Sequence, residues 1–332
     1  MSFKKVLVTG GAGFIGSELV RTLLKNKIFV VAIDNFSSGS LGNLNHLFTN
    51  PNFLLIQEDL LNLSSRTIQI IRDCDEVYHL AANPDVRIGS RNSQVDFNNN
   101  ILATYNLLEI MRNSSVCKRL IFTSTSTVYG DADIIPTSED YGPLIPISLY
   151  GSSKLAAESL ISGYSHMFGI KCGVLRLANI IGPTSNHGVI FDFINKLNKN
   201  NTFLEILGNG KQNKSYLYID DCVDAILLVS EYIEHNYENS SFNLFNVGSE
   251  DKLEVLSIAK IILSEMNLEN IPLIYRSLNS DGRGWKGDVK NMLLDISKIK
   301  RLGWNIRYQS QEAVRLTARN ILRSQSKEEI LV

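Results

Sequence analysis

The sequence predicts an α/β fold: a doubly wound parallel sheet followed by a smaller α/β lobe. Three observations predict it. Short, continuous apolar runs alternate with helix-period segments through residues 1–180. A glycine-spaced turn, Gly10-x-x-Gly13-x-x-Gly16, follows the first run and opens the first helix. After Asn179 the texture changes, with a break at Ile181-Gly-Pro183 and Asn- and Gly-rich stretches beyond it. The division expected is 1–180 for the sheet domain, with returning segments around 215–250, and 181–332 for the lobe.

Residues 6–9 are the first strand and end at the glycines. Residues 14–24 read as a helix, with Phe14, Ile15, Leu19, Val20, Leu23 and Leu24 apolar. Residues 28–33 are rich in β-branched residues and end at Asp34, and residues 53–56 end near Asp59. Residues 76–80 give a fourth strand, 102–111 a helix, 120–123 a fifth strand, 150–167 a long helix and 173–177 a sixth strand. Apolar strands of this kind need cover on both faces, and right-handed crossovers supply it. In the second half, helices are expected at 189–197, 220–232 and 256–266, and strands at 203–207 and 242–247. Loops are expected at 198–201, 208–210 and 279–287, and the polar last dozen residues are expected to fray.

Apolar residues make up 44% and charged residues 20%, as in an ordinary globular protein. A net charge of −1 gives no reason to expect nucleic acid or an anionic membrane as partner. Cys74, Cys117, Cys172 and Cys222 form no C-x-x-C pair, and His46, His79, His166, His187 and His235 form no ligand cluster. Neither a disulfide framework nor a metal site is expected, and a reducing compartment fits best. No apolar run reaches membrane-spanning length, and the opening segment is too short in apolar residues for a signal peptide. The expected location is cytoplasmic.

The glycine turn has the context that gives such a motif meaning. Strand, turn and helix bring free backbone N–H groups to a pyrophosphate. Asp34 stands 18 residues after Gly16, where a carboxylate accepts ribose hydroxyls and repels a 2′-phosphate. No arginine lies within residues 34–40, so NAD is expected rather than NADP, with Asp34 as a mere turn residue the alternative. Among the 12 tyrosines only Tyr150 has a lysine four places on, Lys154. The pair shares a helix face, so the ammonium is expected to lower the tyrosine pKa and make it a general base. The fifth strand ends in Thr123-Ser-Thr-Ser-Thr127, and a hydroxyl there can bond a reacting oxygen.

These features together resemble the extended short-chain dehydrogenase/reductase family, and within it the UDP-glucose 4-epimerase group. The carrying residues are Thr9-Gly-Gly-Ala-Gly-Phe-Ile-Gly16, Asp34-Asn35, Asp59-Leu60, His79-Leu-Ala-Ala82, Asn100, Ser124-Thr-Ser-Thr-Val-Tyr-Gly130, Tyr150/Lys154 and Leu175-Arg-Leu-Ala-Asn179. The resemblance implies a Rossmann-like domain holding NAD through Gly10, Gly13, Phe14, Ile15, Gly16, Asp34, Asn35, Ser38, Gly39, Asp59, Leu60, Leu80, Ala81, Ala82, Asn100, Ser124, Tyr150 and Lys154. It makes Thr125 the catalytic hydroxyl, with Ser124 and Ser126 as rivals. It assigns a nucleotide-sugar substrate, of the UDP-glucose/UDP-galactose type, to Thr125, Asn179, Lys214 and Arg283. It also implies a homodimer through the helices at 102–111 and 150–167.

The chain departs from the family pattern in the lobe. Lys214 stands where an arginine is usual, and Trp285-Lys-Gly-Asp288 replaces R-x-G-D, so the diphosphate clamp falls to Lys214, Arg283 or Lys286. After Thr125 come Ser126 and Thr127 rather than the Asp-Glu pair a 4,6-dehydratase needs, and no cysteine marks the strand tip. A 4-epimerase is therefore expected. Other nucleotide-sugar epimerases, dehydratases, decarboxylases and reductases of the family remain alternatives, and a non-catalytic NAD-binding scaffold is the other class.

Overall fold

The structure, a computed structural model, describes residues 4–235, 241–276 and 281–330. The opening Met1-Ser-Phe3 and the first two positions of the expected loop at 279–287 lie outside the described residues. In chain order the elements begin β1 (Lys5–Thr9), α1 (Phe14–Lys25), β2 (Phe29–Asp34), β3 (Phe53–Gln57), α2 (Ser65–Arg72) and β4 (Glu76–His79). Next come α3 (Ser93–Asp96), a π-helical turn (Phe97–Leu102), α4 (Ala103–Arg112), β5 (Arg119–Thr125), α5 (Leu149–Phe168) and β6 (Lys171–Leu177). They are followed by β7 (Asn179–Ile181), α6 (Val189–Lys199), β8 (Leu204–Leu207), β9 (Asn213–Lys214), β10 (Tyr216–Tyr218), α7 (Ile219–His235) and β11 (Phe242–Val247). The chain closes with β12 (Leu253–Glu254), α8 (Val255–Glu265), β13 (Leu273–Arg276), β14 (Asn291–Met292), α9 (Ser297–Lys300) and α10 (Ser310–Ile330).

Seven strands form the main sheet in the order β11-β6-β5-β4-β1-β2-β3. The order reverses at β1, which pairs in parallel with both β2 and β4, and β2–β3 and β4–β5 are parallel as well. A doubly wound sheet binds ligands beyond the carboxyl ends of its strands at such a reversal. The tips of β1, β2, β4 and β5 are the positions the sequence motifs occupy.

The chain divides into two compact units. The first comprises Met1–Val128, Ser148–Arg176 and Val223–Phe245, and the second Tyr129–Ile147, Leu177–Cys222 and Asn246–Val332. Within the first unit, Leu7, Val31, Val77, Leu107, Leu108, Met111, Leu120, Phe122 and Ile161 belong to one apolar cluster. Each such side chain contributes about 1.5–3 kcal/mol when taken from water. Helix α5 starts where the Ser148 hydroxyl accepts from the Gly151 amide at 3.1 Å, and it stops at Gly169 with φ +66°. Gly173 on β6 lets α7 approach, since a Cβ there would lie 2.5 Å from Val229. The second unit carries short sheets, β10-β7, β12-β9-β14 and β13-β8.

Two elements differ from expectation. Helix α10 falls outside the expected elements; it starts at Ser310, and Ala313, Val314, Thr317, Ala318 and Ile321 make a buried stripe that residue-by-residue polarity conceals. Strand β5 runs two residues past the apolar stretch, so Ser124 and Thr125 are strand residues.

Leu107→Ala removes a fully buried side chain from the main cluster. Urea denaturation is expected to show a loss of about 2–5 kcal/mol. A change below about 1 kcal/mol would mean that the α4–sheet packing is looser than described.

Candidate active site

The glycine turn is shaped by close approaches. Gly10 adopts φ +68°, and a Cβ there would lie 2.8 Å from the Ala81 amide nitrogen. A Cβ on Gly16 would lie 2.0 Å from the Gly10 carbonyl oxygen. The first backbone groups of α1 are left without a side-chain cap at Gly13 and without an acid in the first turn. That N-terminus, which includes Phe14, Ile15 and Gly16, therefore keeps donors suited to an anion. The Ala12 amide donates to Asp34 Oδ2 at 2.8 Å and the Phe36 amide to Oδ1 at 2.8 Å, which fixes the carboxylate at the end of β2. Each oxygen keeps acceptor capacity for a hydroxyl.

Gly39 packs tightly against Ala12 and Asp34, while Ser38 is exposed nearby in the chain. Asn35 Nδ2 donates to Asp59 Oδ2 at 2.8 Å, joining the β2 and β3 ends, and Leu60 is buried against the core. The tips of β1 and β4 are joined by Thr9, whose hydroxyl accepts from the Leu80 and Ala81 amides at 3.2 Å. Leu80, Ala81 and Ala82 stay partly exposed at that tip.

Beneath these tips runs a line of buried hydrogen bonds. His79 Nδ1 lies 2.8 Å from Thr9 Oγ1, and Nε2 lies 2.9 Å from Thr104 Oγ1. Thr104 donates its one proton to the Asn100 carbonyl at 2.6 Å, so it accepts from His79 Nε2–H and Nδ1 accepts from Thr9. Asn100 Oδ1 accepts from the Asn83 amide at 2.9 Å, and its Nδ2 donates to Ser153 Oγ at 2.8 Å. Ser153 in turn donates to the Tyr150 carbonyl at 2.8 Å. Asn100 thereby ties the loop after β4 to α5, which carries Tyr150 and Lys154.

Tyr150, Lys154 and Thr125 come together at the β5 tip. The Thr125 side chain hydrogen-bonds Tyr150 and also lies 3.1 Å from Thr127 Oγ1. Lys154 is buried; its Nζ donates to the Thr123 carbonyl at 2.8 Å and sits 4.4 Å from the Phe122 ring centroid. Two members of the Ser/Thr run differ in partner. Ser124 turns its hydroxyl to the Glu158 carboxylate, which leaves its backbone for any cofactor contact, whereas Thr125 bonds the phenol.

The electrostatics depart from the expectation. Burial pushes the Tyr150 phenol up to about 12, against the pull of the Thr125 bond and with the Asp96 charge adding to the rise. Burial likewise lowers Lys154 to about 7, opposed by Glu158. Desolvation dominates the phenol, and burial disfavours the ammonium as well, so the expected lowering by Lys154 is not seen.

In the second unit Lys214 and Arg283 both meet Asp288, whereas Asn179 bonds the backbone beside Lys214. Asn179 Nδ2 donates to the Ser215 carbonyl at 3.0 Å, next in sequence to Lys214. Lys214 Nζ pairs with Asp288 Oδ1 at 2.6 Å. Arg283 forks onto Asp131 at 2.5 and 3.2 Å, bonds Asp281 at 2.5 Å and donates to the Asp288 carbonyl at 2.5 Å. Both expected phosphate clamps are thus engaged by carboxylates, and Lys286 is exposed. The sequence reading missed Glu158 and Arg176; the recurrence of Tyr150, Lys154 and Glu158 every fourth residue was the available signal.

Among the described residues no group of His, Cys, Asp or Glu could hold a metal ion, and no helix is long and apolar enough to cross a membrane. The family model described as GDP-mannose 4,6 dehydratase matches residues 7–317. UDP-glucuronic acid decarboxylase 1 of Arabidopsis thaliana is 33% identical over 318 residues, covering 93% of this chain and 68% of that protein. A crystal structure of UDP-galactose 4-epimerase matches with a TM-score of 0.84 at 39% identity, covering 96% of this chain and 99% of that one. UDP-glucuronic acid 4-epimerase from Bacillus cereus, in complex with UDP-glucuronic acid and NAD, matches with a TM-score of 0.85 at 32% identity, covering 96% and 99%.

His79 yields a pH prediction. Burial lowers its pKa to about 3 from an ordinary 6.5. Below pH 6.5 the unfolded chain binds a proton that the folded chain refuses, so stability is lost as pH falls from 6.5 toward 3, by about 1.4 kcal/mol per unit. Denaturation midpoints measured across that window should fall more steeply in the wild type than in His79→Gln. Parallel curves would show that the imidazole accepts a proton in place.

Proposed function

The chain belongs to the GDP-mannose 4,6-dehydratase family of extended short-chain dehydrogenases/reductases, and from that membership we propose that it is an NAD-dependent nucleotide-sugar 4-epimerase. The observation that carries the reading is the Thr125–Tyr150–Lys154 set at the β5 tip, with Ser126 and Thr127 where elimination of water would need acids. The glycine cradle, which any Cβ would fill, and the fixed Asp34 carboxylate support NAD as the group held beside it.

When bound, NAD supplies the hydride acceptor and, in its oxidised form, a positive charge. Tyr150 Oη takes the proton of the C4 hydroxyl as that carbon is oxidised, and Thr125 Oγ1 holds the same oxygen. Lys154 Nζ, anchored on the Thr123 carbonyl, would hold the ribose of NAD. The 4-keto sugar turns, is reduced on its other face, and Tyr150 Oη returns the proton. The second unit binds the nucleotide diphosphate through Asn179, Lys214 and Arg283, with UDP as the nucleotide. Exposed Phe97, Tyr105 and Met167 on the helices around α4 and α5 support self-association as a homodimer. Interconversion of UDP-galactose and UDP-glucose in the cytoplasm is the expected setting.

The identity to a UDP-glucuronic acid decarboxylase favours a second reading. With C4 oxidised, a C6 carboxylate is β to a ketone and leaves as carbon dioxide. This route uses the same proton transfer by Tyr150.

Purified protein is expected to interconvert UDP-glucose and UDP-galactose without added reductant. A panel including UDP-N-acetylglucosamine and UDP-glucuronate identifies the sugar, and carbon dioxide release marks the decarboxylase. No turnover of any UDP-hexose with NAD present would sink the epimerase reading. Tyr150→Phe should lower kcat by at least about 10²-fold while NAD remains bound. Gly16→Ala should weaken NAD binding by at least about tenfold in calorimetry, since the turn must open to admit the methyl group. Unaltered affinity would place the pyrophosphate elsewhere.

A further inference from the structure

Thr127 stands two residues beyond Thr125, and the reaction scheme above gives its hydroxyl no task. Strand β5 ends at Thr125, and a turn begins at Ser126. The Thr127 amide donates to Thr125 Oγ1 at 3.2 Å. A threonine that caps the amide two residues on is a common turn device, and the turn needs nothing more. Yet the two hydroxyls also meet, with Oγ1 and Oγ1 3.1 Å apart. Thr125 is buried and Thr127 half-buried. Among the described residues the Thr127 hydroxyl has no other hydrogen-bond partner. Ser124, on the other side of Thr125 in the chain, is committed to the Glu158 carboxylate.

A count of protons gives the contact a direction. A hydroxyl has one proton to give and two lone pairs to fill. The Thr125 side chain also bonds Tyr150. A phenolate oxygen can only accept, so when Tyr150 acts as the base Thr125 spends its one proton there. Thr125 Oγ1 is then an acceptor toward every other neighbour. It takes the Thr127 amide on one lone pair, and the 3.1 Å contact is a hydrogen bond only with Thr127 as donor. With both lone pairs on Thr127, the Thr125 O–H has no direction left except the reacting oxygens.

We infer that Thr127 is a positioning residue: its amide and hydroxyl occupy the two lone pairs of Thr125 Oγ1 and leave the Thr125 proton facing Tyr150 and the sugar oxygen. The inference rests on the reading of Tyr150 as the base and Thr125 as its partner in a nucleotide-sugar 4-epimerase.

Two variants separate the hydroxyl from packing. Thr127→Val keeps the branched shape and the amide and loses the hydroxyl, whereas Thr127→Ser keeps the hydroxyl and loses a methyl group. With NAD bound and the UDP-hexose that the wild type turns over, Thr127→Val is expected to lower kcat about tenfold with KM nearly unchanged, and Thr127→Ser to restore kcat to within about twofold of wild type. A role confined to packing predicts the reverse order. The second readout uses no sugar: NMR of the NAD-loaded protein carrying a carbon isotope label at tyrosine Cζ, with the Tyr150 resonance assigned by its loss in Tyr150→Phe. That resonance should be displaced in Thr127→Val and return to its wild-type position in Thr127→Ser. A Tyr150 resonance unmoved in Thr127→Val, or moved as far in Thr127→Ser, overturns the inference, and so does an undiminished kcat in Thr127→Val. A wild type that turns over no UDP-hexose overturns the epimerase reading instead, and the resonances still decide the role of Thr127.

Discussion

The structure of the first unit hangs on a histidine that must stay neutral. His79 sits at the end of β4 with no exposure, and both ring nitrogens are spoken for. A neutral ring with its proton on Nε2 lets Thr9, Thr104 and Asn100 each donate and accept without conflict. Protonation would set a second donor, Nδ1–H, against the Thr9 hydroxyl, which already accepts two amides, close to Lys154. This line, not any single strand pairing, sets the β1 and β4 tips against α4. It also explains the π-helical turn at Phe97–Leu102: widening the helix there lets Asn100 reach the Asn83 amide and Ser153 while its own carbonyl serves Thr104.

From Asn100 the constraint passes to α5 and becomes electrostatic. Ser153 couples the line to the Tyr150 backbone, and Lys154 is drawn under the β5 tip by the Thr123 carbonyl. Burial then works against both members of the acid–base pair, raising the phenol and lowering the ammonium. The i,i+4 spacing guarantees only that the two side chains share a face. What each one does depends on the charges buried behind it, Glu158 behind Lys154 and Asp96 near Tyr150.

That distinction marks what was legible in the sequence. The strands of the main sheet were readable because they are apolar on both faces, and the glycine turn because its spacing answers a steric need that Gly16 makes explicit. Thr125, Tyr150 and Lys154 were readable as types in order. Their protonation was not, because it depends on desolvation, on Thr125 and Asp96 from two other elements, and on Glu158. Helix α10 hid behind its polarity, although Val314, Ala318 and Ile321 keep a helical period. The partners of Lys214 and Arg283 were equally hidden: Asp288 and Asp131 lie 74 and 152 residues away in sequence.

Those partners determine how the second unit can meet a diphosphate. Lys214 and Arg283 bring two positive charges, while Asp288, Asp131 and Asp281 bring three negative ones. On the proposed function, a diphosphate entering this cluster competes with these carboxylates for the two cations. Asp288 is nearly buried and would be left unpaired without Lys214, which makes that contact expensive to break. Asp131 and Asp281 have side chains 42% and 43% exposed, so water can solvate them as soon as Arg283 turns away. Arg283 is also the member with a planar fork suited to phosphate oxygens. On the proposed function, Arg283 is the cation free to exchange partners, while Lys214 stays paired with Asp288. On this argument the arginine two positions before Trp285 compensates for the R-x-G-D arginine that this chain lacks.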